Sequence, residues 1–213
     1  MKLTGQVAVV TGASRGIGRA IAEALRGEGA EVMGVSRSGG FDVSREADVE
    51  GLFAGLQKLD ILVNNAGILT PRNPIANVTV TEWDETMAVN LRGVFLCSRA
   101  ALRLMVPARS GLIINLSSGA GKRALANWGA YAVSKWGVEG FTKCLAEEVR
   151  EAGIRVIALN PAGTRTTMRA SAFPEEDPMT LKTPEAVAQC VTRLAAGEIG
   201  FESGDSLDYD RLT

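Results

Sequence analysis

Histidine is absent from the 213 residues of this chain, and its absence excludes several kinds of chemistry at once. A Ser-His-Asp hydrolase, a Cys-His protease and a histidine-ligated metal centre all need an imidazole. The three cysteines, Cys97, Cys144 and Cys190, are far apart and form no C-x-x-C pair. A disulfide framework and a zinc site are therefore not expected. No metal is predicted, and any catalysis must use another acid or base.

An excess of charge of one sign and a long hydrophobic run are also lacking. The formal net charge is −1, which predicts no general attraction to nucleic acid or to an anionic membrane. No apolar run has membrane-spanning length, and residues 1–6 lack signal-peptide character, so a cytoplasmic location is expected. The hydrophobic content of 46% and the charged content of 22% are ordinary for a globular protein. The length suits one domain, residues 1–213, rather than two.

Short apolar runs alternate with longer helical patterns along the chain. The runs at 7–10, 31–35, 61–63, 112–116, 155–159 and 207–209 predict strands. Helices are predicted at 16–26, at 81–105 with Thr81 as N-cap, at 129–150, and from Pro184 after an N-cap at Thr183. Strands that are apolar at every position predict an α/β fold, with a doubly wound parallel sheet and helices on both faces. Segments 38–40 and 173–182 are predicted as loops, the second a mobile lid.

The first predicted strand runs into a glycine-rich turn, T-G-A-S-R-G-I-G at 11–18. Gly12, Gly16 and Gly18 would let the backbone turn tightly and approach a pyrophosphate. The helix that follows would present free N–H groups and its positive dipole end to that anion. The position between a strand and a helix indicates nucleotide binding. The alternative is a strand–helix turn that uses glycine for packing only.

The end of the second predicted strand bears on which dinucleotide is bound. An acidic residue about 20 positions beyond such a turn holds the ribose hydroxyls of NAD. Here the strand ends in Ser36-Arg37, so an arginine is available to pair with a 2′-phosphate. Arg15 would add a second positive charge. NADP(H) is therefore favoured over NAD(H), unless both arginines are only solvated surface residues.

A tyrosine and a lysine lie four residues apart in Y-A-V-S-K, and Ser118 lies 13 residues before the tyrosine. Residues i and i+4 share one face of a helix, so Lys135 would lie beside Tyr131. A nearby ammonium favours the phenolate, which would lower the pKa of Tyr131 toward neutrality and suit it to general acid–base catalysis. The alternative is two unrelated residues on an amphipathic helix.

Taken together, these motifs resemble the short-chain dehydrogenase/reductase family in its compact form. The match includes T-G-x-x-x-G-x-G at 11–18, N-N-A-G at 64–67, Asn90, Ser118 and Y-x-x-x-K at 131–135, and it extends from residue 5 to about 200. It is similar to bacterial 3-oxoacyl-reductase-like members, and locally, at 126–131 and 164–174, to a bacterial subgroup with poorly defined substrates. The resemblance implies a single-domain Rossmann fold. It also implies a homodimer or homotetramer formed through the helices near 83–106 and 129–151.

The resemblance implies catalytic roles at matching positions. Tyr131 would be the proton donor or acceptor at the substrate oxygen. Lys135 would lower the pKa of Tyr131 and hydrogen-bond the nicotinamide ribose. Ser118, rather than the adjacent Ser117, would hydrogen-bond the same substrate oxygen. Asn90 would hold a water that links Lys135 to solvent, although alone it also fits a mid-helix polar residue.

The family resemblance also implies contacts with the cofactor. Asp42 and Val43 would meet the adenine, the segment 64–67 would line the cofactor and brace the sheet, and Thr166 would contact the carboxamide. The other expected contacts are Gly12, Ser14, Arg15, Gly16, Ile17, Gly18, Ser36, Arg37, Asn64, Ala66, Gly67, Tyr131, Lys135, Pro161, Gly163 and Thr164. Taken separately, Asn64 fits a strand-end turn and Thr166 a loop hydroxyl.

The chain departs from the family pattern in three places. The segment between Arg37 and Asp60 is short by about a strand and a helix, so the third strand and its helix are expected to be stunted and adenine packing altered. Ala162 stands between Pro161 and Gly163. The C-terminus lacks the common family ending, so contacts within a tetramer are expected to change.

The function that the resemblance implies is hydride transfer between NADP(H) and a carbonyl or secondary alcohol. One alternative is an NADP(H)-binding sensor or regulatory scaffold without turnover. Another is a lyase or epimerase that uses the nicotinamide transiently. By resemblance, Leu69, Trp128 and Met168 lie near the substrate, which predicts an apolar or mixed small molecule.

Overall fold

The computed structural model describes residues 1–212 and contains a six-stranded parallel sheet in the order β2-β1-β3-β4-β5-β6. All the pairings between neighbouring strands are parallel. The strands are β1 (Val7–Thr11), β2 (Glu31–Val35), β3 (Ile61–Asn64), β4 (Gly111–Leu116), β5 (Ile154–Asn160) and β6 (Ser206–Asp208). The chain leaves β1 toward β2 on one side and returns to β3 on the other. The carboxyl ends of β1 and β3 therefore flank the crevice where doubly wound sheets bind ligands.

Helices cover both faces of this sheet. They are α1 (Gly16–Gly27), α2 (Glu46–Ala54), α3 (Val80–Met87), α4 (Gly93–Ala108), α5 (Gly129–Glu148), α6 (Thr167–Ala172) and α7 (Pro184–Ala195). One hydrophobic cluster joins the sheet to α1 and α7, and a second joins it to α2, α4 and α5. In β3, Ile61 and Val63 belong to the first cluster and Leu62 to the second, since successive side chains point to opposite faces. The predicted doubly wound α/β fold is confirmed.

The helix predicted at 81–105 is two helices joined by a π-helical turn. The turn spans Ala88–Arg92 and contains Asn90, between α3 and α4. Such turns are rare and are frequent at functional sites. The N-cap is Thr79 and not Thr81: its hydroxyl accepts a hydrogen bond from the Glu82 N–H at 3.1 Å, and the Glu82 carboxylate accepts one from the Thr79 N–H at 2.9 Å. This reciprocal capping box starts the helix earlier than the predicted boundary.

The short segment between β2 and β3 contains only a 3₁₀ turn, Arg37–Gly39, and the nine-residue helix α2. Within residues 1–212 no strand pairs with the outer edge of β2, which is therefore an edge strand. The stunted third strand predicted from the sequence is thus missing, while a helix remains. Asp42 fixes the turn before α2, because its carboxylate accepts hydrogen bonds from the N–H and the hydroxyl of Ser44.

The predicted lid at 173–182 is a loop that contains a 3₁₀ turn, Pro178–Thr180. The salt bridge between Arg169 and Glu176 ties it to α6, with both N···O distances at 2.6 Å.

In the part of the chain that the structure describes, no helix has the length and apolar character needed to cross a bilayer.

Candidate active site

A cavity of about 670 Å³ opens at the carboxyl ends of the central strands. It brings together most of the residues singled out from the sequence. The predicted residues that line it are Gly12, Ser14, Arg15, Gly16, Ile17, Gly18, Ser36, Arg37, Asp42, Val43, Ala66, Gly67, Tyr131, Lys135, Pro161 and Thr166. The cavity therefore joins the glycine-rich turn, the end of β2 and the Tyr131–Lys135 pair in one continuous space.

Other lining residues were not among the predicted contacts: Ser38, Phe41, Ile68, Val89, Leu116, Ser117 and Thr167. Met168, which was expected near the substrate, and Asn65, in the segment expected to line the cofactor, also line the cavity. The sequence could have indicated one of these residues as a contact. Phe41 precedes Asp42, so its position beside a predicted contact marked it as a candidate. Leu116 and Val89 are apolar residues whose patterns indicated only core packing.

The glycine-rich turn packs directly against the N-N-A-G segment. Gly12 has a φ of +68°, and a Cβ placed there would lie 2.8 Å from the Ala66 Cα. A Cβ on Gly18 would collide with the Asn65 side chain and the Gly12 carbonyl oxygen. The Asn65 amide donates hydrogen bonds to the carbonyl oxygens of Thr11 and Gly12 at 2.9 and 3.3 Å. Glycine is required at both positions because the two segments approach so closely.

The first turn of α1 suits an anion. Its N-cap, Arg15, makes no side-chain capping hydrogen bond, and the turn contains no acidic residue. Backbone N–H groups at such a terminus are left for an external partner, and the helix dipole favours negative charge there. The glycine-lined approach and this terminus fit the pyrophosphate of a dinucleotide.

The far end of the cavity carries charges of both signs. The Arg37 Nε lies 3.4 Å from an Asp42 carboxylate oxygen, and the Arg37 side chain is 68% exposed. Burial raises the pKa of Asp42, but hydrogen bonds from Ser44 and the charges of Arg37 and Arg45 outweigh it and lower the pKa below its ordinary value. Asp42 is therefore ionised and offsets part of the Arg37 charge, which stays accessible from the cavity.

Tyr131 and Lys135 lie on α5 as the spacing predicted. The Lys135 Nζ lies 5.9 Å from the centre of the Tyr131 ring and donates a hydrogen bond of 2.7 Å to the Leu116 carbonyl oxygen. Burial lowers the pKa of Lys135 to about 8, against the opposing charge of Glu139. The carbonyl at the end of β4 thus holds the ammonium close to the phenol.

The pKa of Tyr131 differs from the sequence-based expectation. Burial raises it above its ordinary value, and a hydrogen bond with Ser118 opposes the increase. The expected decrease caused by Lys135 is therefore not found. The physical reason is that desolvation of a phenolate outweighs the stabilisation available to it here.

The two adjacent serines after β4 have different partners. Ser118 hydrogen-bonds with Tyr131, and its hydroxyl also accepts from the Ala120 N–H at 3.2 Å. Ser117 instead donates a hydrogen bond to the carboxylate of Glu139, a buried residue of α5. Ser118 therefore lies beside Tyr131, although Ser117 and not Ser118 is among the residues that line the cavity. Glu139 was missed, although its spacing of four residues from Lys135 was a visible signal.

Asn90 is fully buried in the π-helical turn and does not line the cavity. Its Oδ1 accepts a hydrogen bond from the Ile68 N–H at 2.8 Å, and its Nδ2 donates to the Ile68 carbonyl at 3.0 Å and the Ser134 hydroxyl at 3.1 Å. The Ser134 hydroxyl in turn donates to the Tyr131 carbonyl. Asn90 therefore ties the loop after β3 to the first turns of α5.

Other predicted cofactor contacts lie beside the cavity rather than on its wall: Asn64, Gly163 and Thr164. The Asn64 amide donates hydrogen bonds to Ser98 and Asn115, and Asn115 donates to Thr142, so this buried chain braces β3 and β4 against α4 and α5. The Thr164 hydroxyl donates to the Pro161 carbonyl. Ala162 has a φ of 53°, a left-handed conformation that costs a non-glycine residue about 1 kcal/mol or more.

Comparison with known proteins agrees with this geometry. The family model of short chain dehydrogenases matches residues 6–40 and 39–177. The chain therefore belongs to the short-chain dehydrogenase family, and it is an oxidoreductase of the kind that acts on CH–OH and carbonyl groups.

Similar bacterial proteins include a reductase, together with an oxidoreductase and a short-chain dehydrogenase of known structure. The 3-oxoacyl-[acyl-carrier-protein] reductase FabG of Vibrio cholerae is 36% identical over 97% of this chain and 96% of its own length. The structure of the oxidoreductase YciK of Escherichia coli superposes with a TM-score of 0.89 at 32% identity, covering 98% of this chain and 96% of the other. A structure described as a short-chain dehydrogenase of Escherichia coli CFT073, complexed with NADPH, gives a TM-score of 0.90 at 32% identity, with 98% of each chain covered.

Proposed function

We propose that this protein catalyses reversible hydride transfer between NADP(H) and a small carbonyl or secondary-alcohol substrate. The observation that carries the proposal is that Tyr131 and Lys135 line the cavity that also contains the glycine-rich turn, with Ser118 beside Tyr131. A protein that only sensed or stored the nucleotide would have no use for this proton-handling group. The sensor or scaffold alternative is therefore not favoured.

The residues present fit the nicotinamide dinucleotide. The turn at Gly12–Gly18 and the start of α1 would hold the pyrophosphate, and Arg37 with Ser36 would hold the adenosine ribose. Arg15 and Arg37 both line the cavity, and no carboxylate ends β2, which supports the preference for NADP(H) over NAD(H). When bound, the nicotinamide would supply or accept the hydride.

The chain's own residues would handle the proton and orient the substrate. During reduction, Tyr131 donates its phenolic proton to the substrate oxygen, and during oxidation it takes that proton back. A raised pKa keeps the phenol protonated near neutral pH, as a proton donor requires. Ser118 donates a hydrogen bond to the same oxygen and polarises the carbonyl.

Lys135 and Asn90 would support the tyrosine. The Lys135 ammonium is held by the Leu116 carbonyl and stabilises negative charge on Tyr131 as the proton leaves. A Cβ added to Gly67 would lie 3.4 Å from the Asn90 Oδ1 and 3.9 Å from the Lys135 Nζ, so these groups converge at one point. Asn90 would also hold a water that links Lys135 to solvent.

A panel of ketones, diketones and 3-oxoacyl thioesters tests the reaction class. Purified protein and NADPH are mixed with each compound, and loss of NADPH absorbance is followed. Turnover of at least one carbonyl is expected, with the alcohol as product. If NADPH binds tightly and no compound is reduced, the protein is a nucleotide binder and the proposed reaction is wrong.

We also propose that the protein forms a homodimer or homotetramer. Phe95 and Val106 on α4, and Val133 and Trp136 on α5, are each 42–52% exposed. Apolar side chains on the two helices that the family pairs across a two-fold axis suit an isologous interface. Light scattering should give a mass of two or four chains, and a monomer would contradict this.

The cytoplasmic location stays a prediction, which cell fractionation tests.

A further inference from the structure

We propose that Arg72 binds an anionic group, a carboxylate or a phosphate, on the carbonyl or alcohol substrate. This inference rests on the proposed function and names the substrate class of the same site. Arg72 lies in the loop that follows N-N-A-G, and its side chain is exposed. The aromatic rings of Trp128 and Phe173 hold the guanidinium in place, and Trp128 contacts the candidate catalytic tyrosine.

The position of Arg72 is defined by these rings. The guanidinium carbon lies 5.7 Å from the Trp128 ring centre and 5.2 Å from the Phe173 ring centre. Trp128 in turn meets the Tyr131 ring edge-on, with 5.8 Å between centres. A small recess has Leu69, Arg72, Trp128 and Tyr131 among its lining residues. Arg72 and the candidate proton donor Tyr131 therefore both line this recess, with the Trp128 indole beside each of them.

A comparison with Arg169 shows what is unusual about this cation. Arg169 also stacks on Phe173, with 3.9 Å from its guanidinium carbon to the ring centre, but Glu176 binds it through two hydrogen bonds of 2.6 Å. Among residues 1–212, Arg72 has only its two ring contacts and neither an ion pair nor a hydrogen bond. One arginine of the aromatic stack is neutralised, and the other keeps its N–H donors free.

A free guanidinium held by aromatic faces matches a planar or tetrahedral oxyanion. Stacking orients the guanidinium, and the N–H donors remain available for a bidentate pair with carboxylate or phosphate. Because the rings fix the geometry, less side-chain freedom is lost when the anion binds. Arg72 thus has the features of a recognition residue rather than those of a solvated surface charge.

The anion belongs to the substrate rather than to the dinucleotide. The large cavity that contains the glycine-rich turn is lined by Arg15 and Arg37, but not by Arg72. Because Trp128 separates Arg72 from Tyr131, the anionic group would lie several bonds from the reacting carbon. This geometry favours oxo acids with a distant carboxylate, or thioesters with a phosphorylated arm, over 2-oxo acids.

Matched pairs of substrates test this assignment. One pair is 5-oxohexanoate and its methyl ester, and the other is S-acetoacetyl phosphopantetheine and S-acetoacetyl pantetheine. The wild-type protein should prefer the anionic member of at least one pair, and the pair that shows it identifies the carboxylate or the phosphate. Arg72→Met should lower kcat/KM for that anionic member by about tenfold or more, because it removes hydrogen bonds to a charged group. The neutral member should be unaffected.

Two further variants separate charge recognition from packing. Arg72→Lys keeps the positive charge but lacks the paired N–H donors of the planar guanidinium. It should therefore retain part of the preference for the anionic substrate. Arg193→Met, on α7 at the surface, should change nothing. An equal loss for both members in Arg72→Met would assign Arg72 to packing of the aromatic stack and overturn the proposal. Absence of any preference in the wild-type protein would overturn it as well.

A binding measurement distinguishes failure of the proposed reaction from failure of the proposed anion site. Calorimetric titration of the NADP⁺-loaded protein with the same acid and ester needs no turnover. Tighter binding of the acid that disappears in Arg72→Met supports the anion site even if no compound is reduced. Equal binding of acid and ester to the wild-type protein rejects the site even if ketones are reduced.

Discussion

Glu139 lies one helical turn after Lys135 on α5, and its carboxylate accepts a hydrogen bond from the Ser117 hydroxyl. Both charged side chains are buried, with exposed fractions of 5% for Lys135 and 7% for Glu139. Burial lowers the pKa of Lys135 to about 8, and the negative charge of Glu139 limits that decrease. The buried carboxylate therefore helps to keep the ammonium protonated at neutral pH.

Replacing Glu139 by Gln should move the alkaline limb of the pH–rate profile to lower pH. Removal of a neighbouring opposite charge lowers the pKa of Lys135 further, and a shift of roughly one unit is expected. The profile of kcat for NADPH-dependent reduction measures it. Glu148→Gln, at the exposed end of α5, is the matched control and should leave the profile unchanged. Superimposable profiles for Glu139→Gln and wild type would reject the role.

The same pKa predicts a stability trend. Because the folded-state pKa of about 8 lies below the ordinary value of 10.5, the unfolded chain binds more protons at Lys135 between these values. The contribution of this group to the free energy of unfolding therefore rises as pH increases from about 8 to 10.5. Lys135→Met should flatten that part of the curve, as measured by urea unfolding at several pH values. An unchanged slope would contradict it.

Replacing Tyr131 by Phe should abolish the proton transfer and leave the nucleotide site intact. A loss of kcat by about 10²–10⁴-fold is expected from removal of a general acid. The affinity for NADPH, measured by fluorescence titration, should stay close to that of the wild-type protein. Tyr209→Phe alters the other tyrosine of the chain, which follows β6, and should retain activity. Substantial reduction by Tyr131→Phe would show that another group donates the proton.

Local patterns predicted the parts of the molecule that depend on neighbouring residues. The strand at 31–35, the turn at 11–18 and the i,i+4 pair on α5 each follow from sequence spacing alone. The π-helical turn around Asn90 did not, because the partners of Asn90, Ile68 and Ser134, are 22 and 44 residues away. The raised pKa of Tyr131 was missed for a similar reason, since burial depends on the whole fold.

The glycine-rich turn should tolerate no side chain at Gly18. A Cβ there would meet the Asn65 amide and the Gly12 carbonyl, so Gly18→Ala must push the turn away from N-N-A-G. We expect loss of measurable NADPH binding and a decrease of about 1–3 kcal/mol in the free energy of unfolding. Gly27→Ala is the control on the same helix, since nothing lies within 4 Å of its Cβ. It should bind NADPH normally.

If calorimetry shows that Gly18→Ala binds NADPH as well as the Gly27→Ala control does, the turn does not carry the pyrophosphate. The unfolding measurement separates this outcome from misfolding. A variant that unfolds cooperatively near the wild-type midpoint but has lost NADPH binding places the defect in the turn itself.

Cofactor choice should depend on Arg37, whose exposed guanidinium lies at the end of β2 beside Asp42. Arg37→Gln removes the charge that would pair with the 2′-phosphate, and a charge-assisted hydrogen bond contributes about 1.5–3 kcal/mol. The dissociation constant for NADPH should therefore rise by about tenfold to a hundredfold, whereas that for NADH should hardly change. Arg150→Gln, at the surface after α5, is the control. An equal increase in the dissociation constants for NADPH and NADH would mean that Arg37 supports the turn before α2 and does not bind the 2′-phosphate.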